Sequence, residues 1–370
     1  MNDKVYLDHA ATTPLCKSFL ESIQRYAELY YNPSSANEYS IALKYDIEDC
    51  REKVAKLINC EPEEVYFTSS STEACAIAID GFLKANYNYL VAASNIEHAA
   101  IMDNPNIDLF IECNKDGFID PTKWQEMNFT CKALYAFMLA NNEIGTIQPI
   151  KQISEYIHRN NGILFSDLTA AIGKMPIDVK DMGIDIACFG GHKIGALKGV
   201  GVLYIKKNVK IKGISYGHQE NCISPGTYNY LAIKSLDMAI DEVNLDKQKD
   251  VLELRNYLMN RLIELNCGVK FNGDLENRVA GNLNIYIPIT IDNQQLVSLL
   301  DMEGYIVSSG SACSNGTNKP SHVLKAIGLS GEEINHSIRI TLSEQNTKEE
   351  IDGFVEALKN IIDMYKMEGA

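Results

Sequence analysis

The sequence lacks the features that mark several classes of protein. It has no apolar run long enough to span a membrane and no low-complexity tract. No two of its cysteines are separated by only two residues, which excludes the usual spacings of zinc knuckles and dithiol redox motifs. The N-terminus has no charged-then-apolar pattern of a signal peptide. These absences predict a reduced, cytoplasmic protein that does not enter a membrane.

Positive charge is also scarce. The chain has 34 Lys and Arg residues against 49 Asp and Glu residues, a formal net charge of −15. A protein this acidic is poorly suited to the phosphate backbone, so we expect no direct nucleic-acid partner. The 370 residues, 46% hydrophobic and 22% charged, have an ordinary globular composition and predict a large domain with a smaller one.

Apolar segments of strand length alternate with helical patterns up to about residue 240. In the helical segment 149–161, for example, Ile153 and Ile157 recur at helical spacing. Near-continuous apolar strands joined by helical crossovers predict an α/β fold with a mostly parallel sheet, covered on both faces. The predicted strands are 65–69, 88–94, 108–113, 133–139, 162–167, 184–190 and 201–207.

The pattern changes after a long predicted helix over 230–266. Short strands and two further helices follow, which predicts a smaller α+β domain. We expect the large domain to span 15–255. The small domain would span 256–370 and include the N-terminal segment 1–14.

Polar side chains stand where several predicted strands end, and ligands of open parallel sheets bind beyond the carboxyl ends of the strands. Ser70, Ser71 and Thr72 begin a helix after the strand 65–69, as either an anion site or an ordinary N-cap. Asp167 closes another strand. A carboxylate in that position is more often a cap than a catalyst.

A lysine and a histidine occupy two further strand ends. Lys193, beside His192 in a glycine-rich exit, has little in the sequence to pair it, so it is an amine nucleophile or a surface lysine. His98 follows another strand, where a lone histidine is usually structural. An anion site, a carboxylate, a lysine and a histidine together are the set that pyridoxal phosphate requires for its phosphate, ring nitrogen, aldehyde and ring face.

Cys313 stands in a run of Ser, Gly and Asn, GYIVSSGSACSNG (304–316). A structural thiol is usually buried among apolar side chains, as we expect for Cys75 and Cys188. The composition around Cys313 predicts a solvated loop instead. Its thiol is therefore either a loop cysteine without a functional role or a nucleophile that has to move.

Long motifs in a characteristic order connect these residues. With them, nearly the whole chain resembles the NifS/IscS-like cysteine desulfurases of the class V aminotransferase family, which are fold-type I pyridoxal phosphate enzymes. The resemblance implies a homodimer that converts L-cysteine to alanine and passes the sulfur to an acceptor protein, an iron–sulfur scaffold or a tRNA-thiolation enzyme. The motifs are YLDHAATTP (6–14), NPSS (32–35), STE (71–73), EH (97–98), NNEIGTIQPI (141–150), the D…GK spacing (167–174), HK (192–193), SSGSACS (308–314) and PSHVLKAIGL (320–329).

The resemblance also implies a role for each matching residue. Lys193 would form the Schiff base, Asp167 would pair with the ring nitrogen, and His98 would stack on the ring and transfer protons. Cys313 would be the nucleophile that carries a persulfide. The remaining cofactor residues would be Asn142, Ser71, Thr72, His192 and, from the partner subunit, Thr227. The substrate would be held by Arg339 and Asn32.

The chain departs from the family pattern around the cofactor. The departures are Ser70, Ala76, Ala170, Gly190 and Ser224. They indicate a divergent desulfurase with fewer side chains to bind the phosphate. The alternatives are a lyase for selenocysteine or another related amino acid, and a degenerate member that binds cofactor or a partner without turnover. Retention of Lys193, Asp167, His98, Cys313 and Arg339 favours the first interpretation.

Overall fold

The computed structural model describes residues 4–119, 132–310 and 320–366. Cys313 lies outside these ranges. The strands are β1 (Val5–Tyr6), β2 (Val65–Thr68), β3 (Leu90–Ser94), β4 (Leu109–Ile111), β5 (Ala133–Ala136), β6 (Ile163–Asp167), β7 (Ile186–Gly190), β8 (Gly201–Ile205), β9 (Lys270–Asn272), β10 (Asn282–Tyr286), β11 (Tyr305–Ile306) and β12 (Ser337–Thr341).

Helices connect most of these strands. They are α1 (Lys17–Ala27), α2 (Glu38–Ile58), α3 (Ser71–Ala76), α4 (Phe82–Ala85), α5 (Ala99–Met102), α6 (Ile150–Arg159), α7 (Tyr230–Glu242), α8 (Gln248–Glu264), α9 (Asn293–Met302), α10 (His322–Ala326), α11 (Gly331–Asn335) and α12 (Lys348–Met364). A π-helical turn, Ile77–Gly81, joins α3 to α4, so that helix runs unbroken from residue 71 to 85. No helix in the described ranges is both long enough and apolar enough to cross a membrane.

The central sheet has seven strands in the order β2-β8-β7-β6-β5-β3-β4. Only β8 runs antiparallel to its neighbours, β2 and β7. All seven strands predicted for this region are present, with ends that differ from the prediction by no more than three residues. The prediction of an α/β fold with a mostly parallel sheet is therefore confirmed.

Apolar side chains cover both faces of this sheet. Along β5, Leu134 and Ala136 join the buried cluster under α3 and α4, whereas Tyr135 joins the cluster formed with α1, α2, α6 and α7. Successive side chains of a strand point to opposite faces. A strand that is buried on both faces therefore reads as a continuous apolar run, which is why these strands were visible in the sequence.

A second core lies around the three-stranded antiparallel sheet β12-β10-β9. Helices α8, α9 and α12 contribute to it, and β1 pairs in parallel with β11 beside it. Leu7 from the N-terminal segment is also buried in this core.

The single long helix expected over 230–266 is instead two helices. Val243 and Asn244 adopt extended backbone conformations, and the Asn244 side chain accepts a hydrogen bond from the Asp246 N–H at 3.0 Å to begin a new turn. Helix α8 then packs into the second core through Val251 and Leu258. The domain limits stay a prediction, and this packing favours a boundary at 243–247 over one near 255.

Candidate active site

A cavity of about 1250 Å³ lies at the carboxyl ends of the parallel strands. The segments that follow β2, β3, β6 and β7 line it, as the rule for open parallel sheets predicts. The sequence-predicted site residues brought together in its wall are Ser71, Thr72, His98, Asn142, Asp167, His192, Lys193 and Arg339.

Three predicted residues are not placed in this wall. Asn32 and Thr227 are exposed and are absent from the described lining, and the Asn32 side chain accepts a hydrogen bond from the Ser34 N–H at 2.9 Å. Cys313 lies outside the described residues. The Ser321 hydroxyl, shortly after that segment, donates to the Glu143 carboxylate at 2.6 Å, and both residues line the cavity.

One end of the cavity is suited to an anion. Ser70 caps α3 by accepting the Glu73 N–H at 3.2 Å, and the first-turn N–H groups of Ser71 and Thr72 have no acceptor within the helix. A Cβ on Gly201 would lie 2.4 Å from the Ser70 carbonyl carbon. Only glycine therefore lets β8 pass this close to the turn that presents the helix N-terminus.

Gly190, one of the departures, faces the same end of the cavity. A Cβ built there would lie 3.4 Å from Ser71 Oγ and 3.1 Å from His192 Cδ2. The backbone of Gly190 is extended, so a side chain is compatible with it. The lost side chain would therefore point between the helix N-terminus and the His192 ring.

Asp167 is the last residue of β6 and is almost fully buried. One of its carboxylate oxygens accepts the Thr169 N–H at 2.8 Å. This hydrogen bond fixes the carboxylate at the floor of the cavity, where a positively charged ring nitrogen would be compensated.

Lys193 lies on the turn Gly191–Lys193, directly after β7. The expectation that little pairs with it is wrong, because its Nζ donates to the carbonyls of Ala10 and Ala11 at 2.5 and 2.9 Å. The N-terminal segment therefore holds the amine at the cavity. These two hydrogen bonds, which the carbonyls accept, restrain the position of the Lys193 amine.

Two histidines line the same cavity as this lysine. His98 is the N-cap of α5, and its Nδ1 accepts the Ala100 N–H at 3.1 Å, so a neutral His98 carries its proton on Nε2. The His192 ring nitrogen Nδ1 lies 3.2 Å from Thr12 Oγ1. Burial, and next the charges of Lys193 and other lysines, lower the pKa of His192 to about 4, so it is neutral at physiological pH.

Arg339 lies on β12 and is almost completely buried. Its Nη2 donates to the Asp8 carboxylate at 2.7 Å, and its Nη1 donates to the Asn142 carbonyl at 3.0 Å. Its buried Nε has no acceptor among the described residues. The guanidinium is thus oriented from two sides and lines the cavity, as a receptor for a carboxylate must.

Sequence reasoning gave no role to two other ionisable residues of the wall. Lys174 is partly buried. Its pKa is lowered to about 7, mainly because the surrounding protein removes water from the amine and next because of the positive charges of Lys193 and Arg339. Burial raises the pKa of Glu97 to about 8. Both residues belong to motifs that carried the resemblance, and these motifs were the only signal for them in the sequence.

The residues present fit pyridoxal phosphate. The helix N-terminus at Ser71 suits the phosphate, the buried Asp167 suits the ring nitrogen, and Lys193 supplies the amine for the aldehyde. All three line one cavity that is large enough for the cofactor and a small amino acid. Fold and site together define a fold-type I pyridoxal phosphate enzyme.

Comparisons with known proteins identify the family. Residues 5–354 match the family Aminotransferase class-V. The chain is 34% identical over 377 aligned residues to "Cysteine desulfurase IscS" from Dictyoglomus turgidum. The alignment covers 98% of this chain and 95% of the relative. The chain belongs to the class V aminotransferase family, whose cofactor is pyridoxal phosphate.

Solved structures agree with this assignment. A NifS-like protein from Rickettsia africae superposes with a TM-score of 0.88 at 31% identity, over 97% of this chain and 99% of the other. A structure described as "SspA in complex with cysteine" superposes with a TM-score of 0.80 at 28% identity, over 91% of this chain and 98% of the other.

Proposed function

We propose that the chain is a pyridoxal phosphate-dependent cysteine desulfurase that moves sulfur from L-cysteine to Cys313 and then to an acceptor protein. One observation carries the proposal: the lysine, the carboxylate and the helix N-terminus that the cofactor needs line a single cavity, which Arg339 also lines. Nearly full-length similarity to cysteine desulfurases supports the activity.

The proposal assigns a role to each of these residues. Bound pyridoxal phosphate would withdraw electrons from the substrate's α-carbon. Lys193 would hold the cofactor and carry protons, Asp167 would compensate the charge of the ring nitrogen, and Ser71 and Thr72 would bind the phosphate. His98 would lie on the ring face and take part in proton transfer, and Asn142 and His192 would complete the pocket.

Arg339 would bind the substrate carboxylate. Asp8 and the Asn142 carbonyl fix its guanidinium before substrate arrives, so little side-chain entropy is lost on binding. Asn32 is proposed as a second substrate residue. Because it is exposed and outside the described wall, it would have to reach a site that is completed by another subunit.

Cys313 would act as a thiolate. Its sulfur forms an S–S bond with the substrate sulfur while the substrate's C–S bond breaks. The carbon keeps the electron pair and takes up a proton, which leaves alanine, and the enzyme carries a persulfide. The positions of Pro320 and Ser321 in the cavity wall support this role, because these residues follow Cys313 by only seven and eight positions.

A homodimer is also proposed. Thr227 is exposed in one chain, as expected of a residue that contacts the cofactor of a partner subunit. An aromatic stack, Tyr30, Tyr31 and Tyr39, lies beside the Asn32 motif, with ring centroids 4.7 and 4.6 Å apart. Tyr30 and Tyr39 are 83% and 60% exposed, which is unusual for large aromatic side chains and is typical of an interface.

The partners and location belong to the same proposal. The persulfide would pass to an acceptor protein, an iron–sulfur scaffold or a tRNA-thiolation enzyme, in the cytoplasm. The net charge of −15 supports a protein acceptor over direct contact with nucleic acid.

A direct assay tests the function. Purified protein with pyridoxal phosphate is expected to release alanine from L-cysteine, and sulfide when a thiol reductant is added. Cys313→Ala should lose this activity and keep the visible absorbance of the bound cofactor. Cys222→Ala, at an exposed cysteine, is the matched control and should retain activity.

Two results would replace the proposal. Release of alanine from selenocysteine but not from cysteine would favour the lyase alternative. Protein that binds the cofactor but yields alanine from neither substrate would favour the non-catalytic alternative.

A further inference from the structure

Two buried thiols lie close to Asp167, outside the lining of the cavity. Cys188 is on β7, and its Cα is the register partner of Asp167 on the neighbouring parallel strand β6. Cys75 is on α3, and its Sγ lies 3.5 Å from the Cys188 Sγ. Cys75 is 1% exposed and Cys188 is 0% exposed, and neither lines the cavity.

The three polar groups form a compact cluster. The ligand atoms of Cys75, Cys188 and Asp167 all lie within 4.8 Å of one another. An ionised carboxylate can only accept hydrogen bonds, so in a hydrogen bond between Asp167 and a neighbouring thiol the thiol is the donor. When Cys188 donates to Asp167, its sulfur lone pair is left to accept the Cys75 S–H.

We infer that Cys188 is a positioning residue for the cofactor, which donates its S–H to Asp167 and is itself supported by the S–H of Cys75. This inference rests on the proposed cofactor site. The Thr169 N–H holds one carboxylate oxygen, and Cys188 would hold the carboxylate from the neighbouring strand. The remaining lone pairs of Asp167 would then be aimed at the ring nitrogen.

The protonation of the thiols is consistent with this arrangement. Burial, the neighbouring Cys75 and the negative charge of Asp167 raise the pKa of Cys188 well above its usual value. Cys188 therefore keeps the proton that it donates. The two thiols are placed too deep to react with substrate, so they act through Asp167.

A soft metal ion is the competing occupant of the cluster. It would need both thiols as thiolates. The surroundings oppose ionisation of Cys188, and the described residues supply only these three ligands at the site. Hydrogen bonds from Cys75 to Cys188 and from Cys188 to Asp167 therefore fit the cluster better than a metal centre.

The test compares Cys188→Ala, which removes the donor, with Cys188→Ser, which keeps it. In the apoprotein, the S–H stretching band lost in Cys188→Ala is expected at the lowered frequency of a strongly hydrogen-bonded thiol. The dissociation constant for pyridoxal phosphate should rise about tenfold in Cys188→Ala, the size of one lost hydrogen bond to a charged group, and stay within about twofold in Cys188→Ser. Cys50→Ala, at an equally buried thiol on α2, is the control and should bind the cofactor as the unmodified protein does.

Several outcomes would overturn the inference. These are an S–H band at the frequency of a free thiol, equal weakening of cofactor binding in the Ala and Ser variants, or stoichiometric Zn²⁺ binding that depends on both cysteines. The infrared measurement needs no cofactor and no turnover. Failure of this inference is therefore distinguishable from failure of the proposed function, which the alanine assay of the unmodified protein reports.

Discussion

The Asp8 carboxylate and the Arg339 guanidinium form an ion pair 2.7 Å long, and the side chain of Arg339 is only 1% exposed. A buried arginine without a counter-charge is strongly unfavourable. Asp8 therefore makes it possible for a cysteine desulfurase of this sequence to keep a permanent cation in the wall of its cavity. The substrate carboxylate meets an arginine that is already oriented and partly neutralised.

Loss of this pair should be costly. Asp8→Asn is expected to lower the free energy of unfolding by about 3 kcal/mol, because it leaves the buried guanidinium uncompensated. The matched control is Asp301→Asn, which breaks an ion pair to Lys4 of the same 2.7 Å length between half-exposed side chains. This change should cost less than about 1 kcal/mol. Urea denaturation of the apoproteins measures both, and equal effects would contradict the buried-charge explanation.

Glu97 should make stability fall as pH rises. Its pKa is raised by burial from the usual 4.5 to about 8, so between these pH values the folded state binds one proton more than the unfolded state. The stabilising effect is full below pH 4.5 and is lost as pH rises through 8. Glu97→Gln, which resembles the protonated acid, should remove this slope in denaturation curves recorded between pH 5 and 8. A slope that is unchanged in the variant would show that Glu97 ionises normally.

Lys174 should make stability rise as pH rises, the opposite of the effect of Glu97. Its pKa is lowered from 10.5 to about 7, so the unfolded state binds the extra proton between these values and stability rises with pH across the interval. Lys174→Met should flatten this rise in the apoprotein between pH 7 and 10. Lys210→Met, at an exposed position, controls for the loss of one positive charge. A rise that persists in Lys174→Met would place its origin elsewhere.

Gly190 offers a gain-of-function test of the phosphate site. Gly190→Ser would add a hydroxyl beside Ser71 Oγ, and the His192 ring has to move by only a few tenths of an ångström to admit the Cβ. Binding of pyridoxal phosphate should become about fivefold tighter, as expected for one added hydrogen bond. Gly190→Ala adds the same Cβ without the hydroxyl and should bind no more tightly than the unmodified protein. Equal affinities of the two variants, by fluorescence titration of the apoproteins, would contradict this assignment.

The sequence predicted the central sheet well because its strands are buried on both faces. An apolar run such as 133–139 needs no knowledge of its neighbours to be read as a strand. The break between α7 and α8 was missed because the residues around Val243 keep a helical apolar spacing. Their extended backbone depends on the local Asn244 cap and on the change of core that follows.

For the candidate site, the motifs predicted which residues line the cavity but not what holds them. The carbonyls that bind Lys193 belong to Ala10 and Ala11, more than 180 residues earlier in the chain. The raised pKa of Glu97 and the lowered pKa of Lys174 arise mainly from burial in the folded protein. Such properties depend on tertiary contacts, which no local pattern encodes.

The N-terminal segment lies among elements from the far end of the chain, since Val5 pairs with Tyr305 and the Ala10 N–H donates to Thr341 Oγ1 at 2.8 Å. A ribosome synthesises these partners at least 300 residues after the N-terminal segment. The Ala10 and Ala11 carbonyls restrain Lys193, and the Asp8 carboxylate partly neutralises Arg339. These groups can therefore be held in place only after residue 341 has been synthesised. A nascent chain can fold most of its central sheet before that moment, because the last strand of that sheet ends at Ile205, but it completes the pocket only after residue 341 has been synthesised.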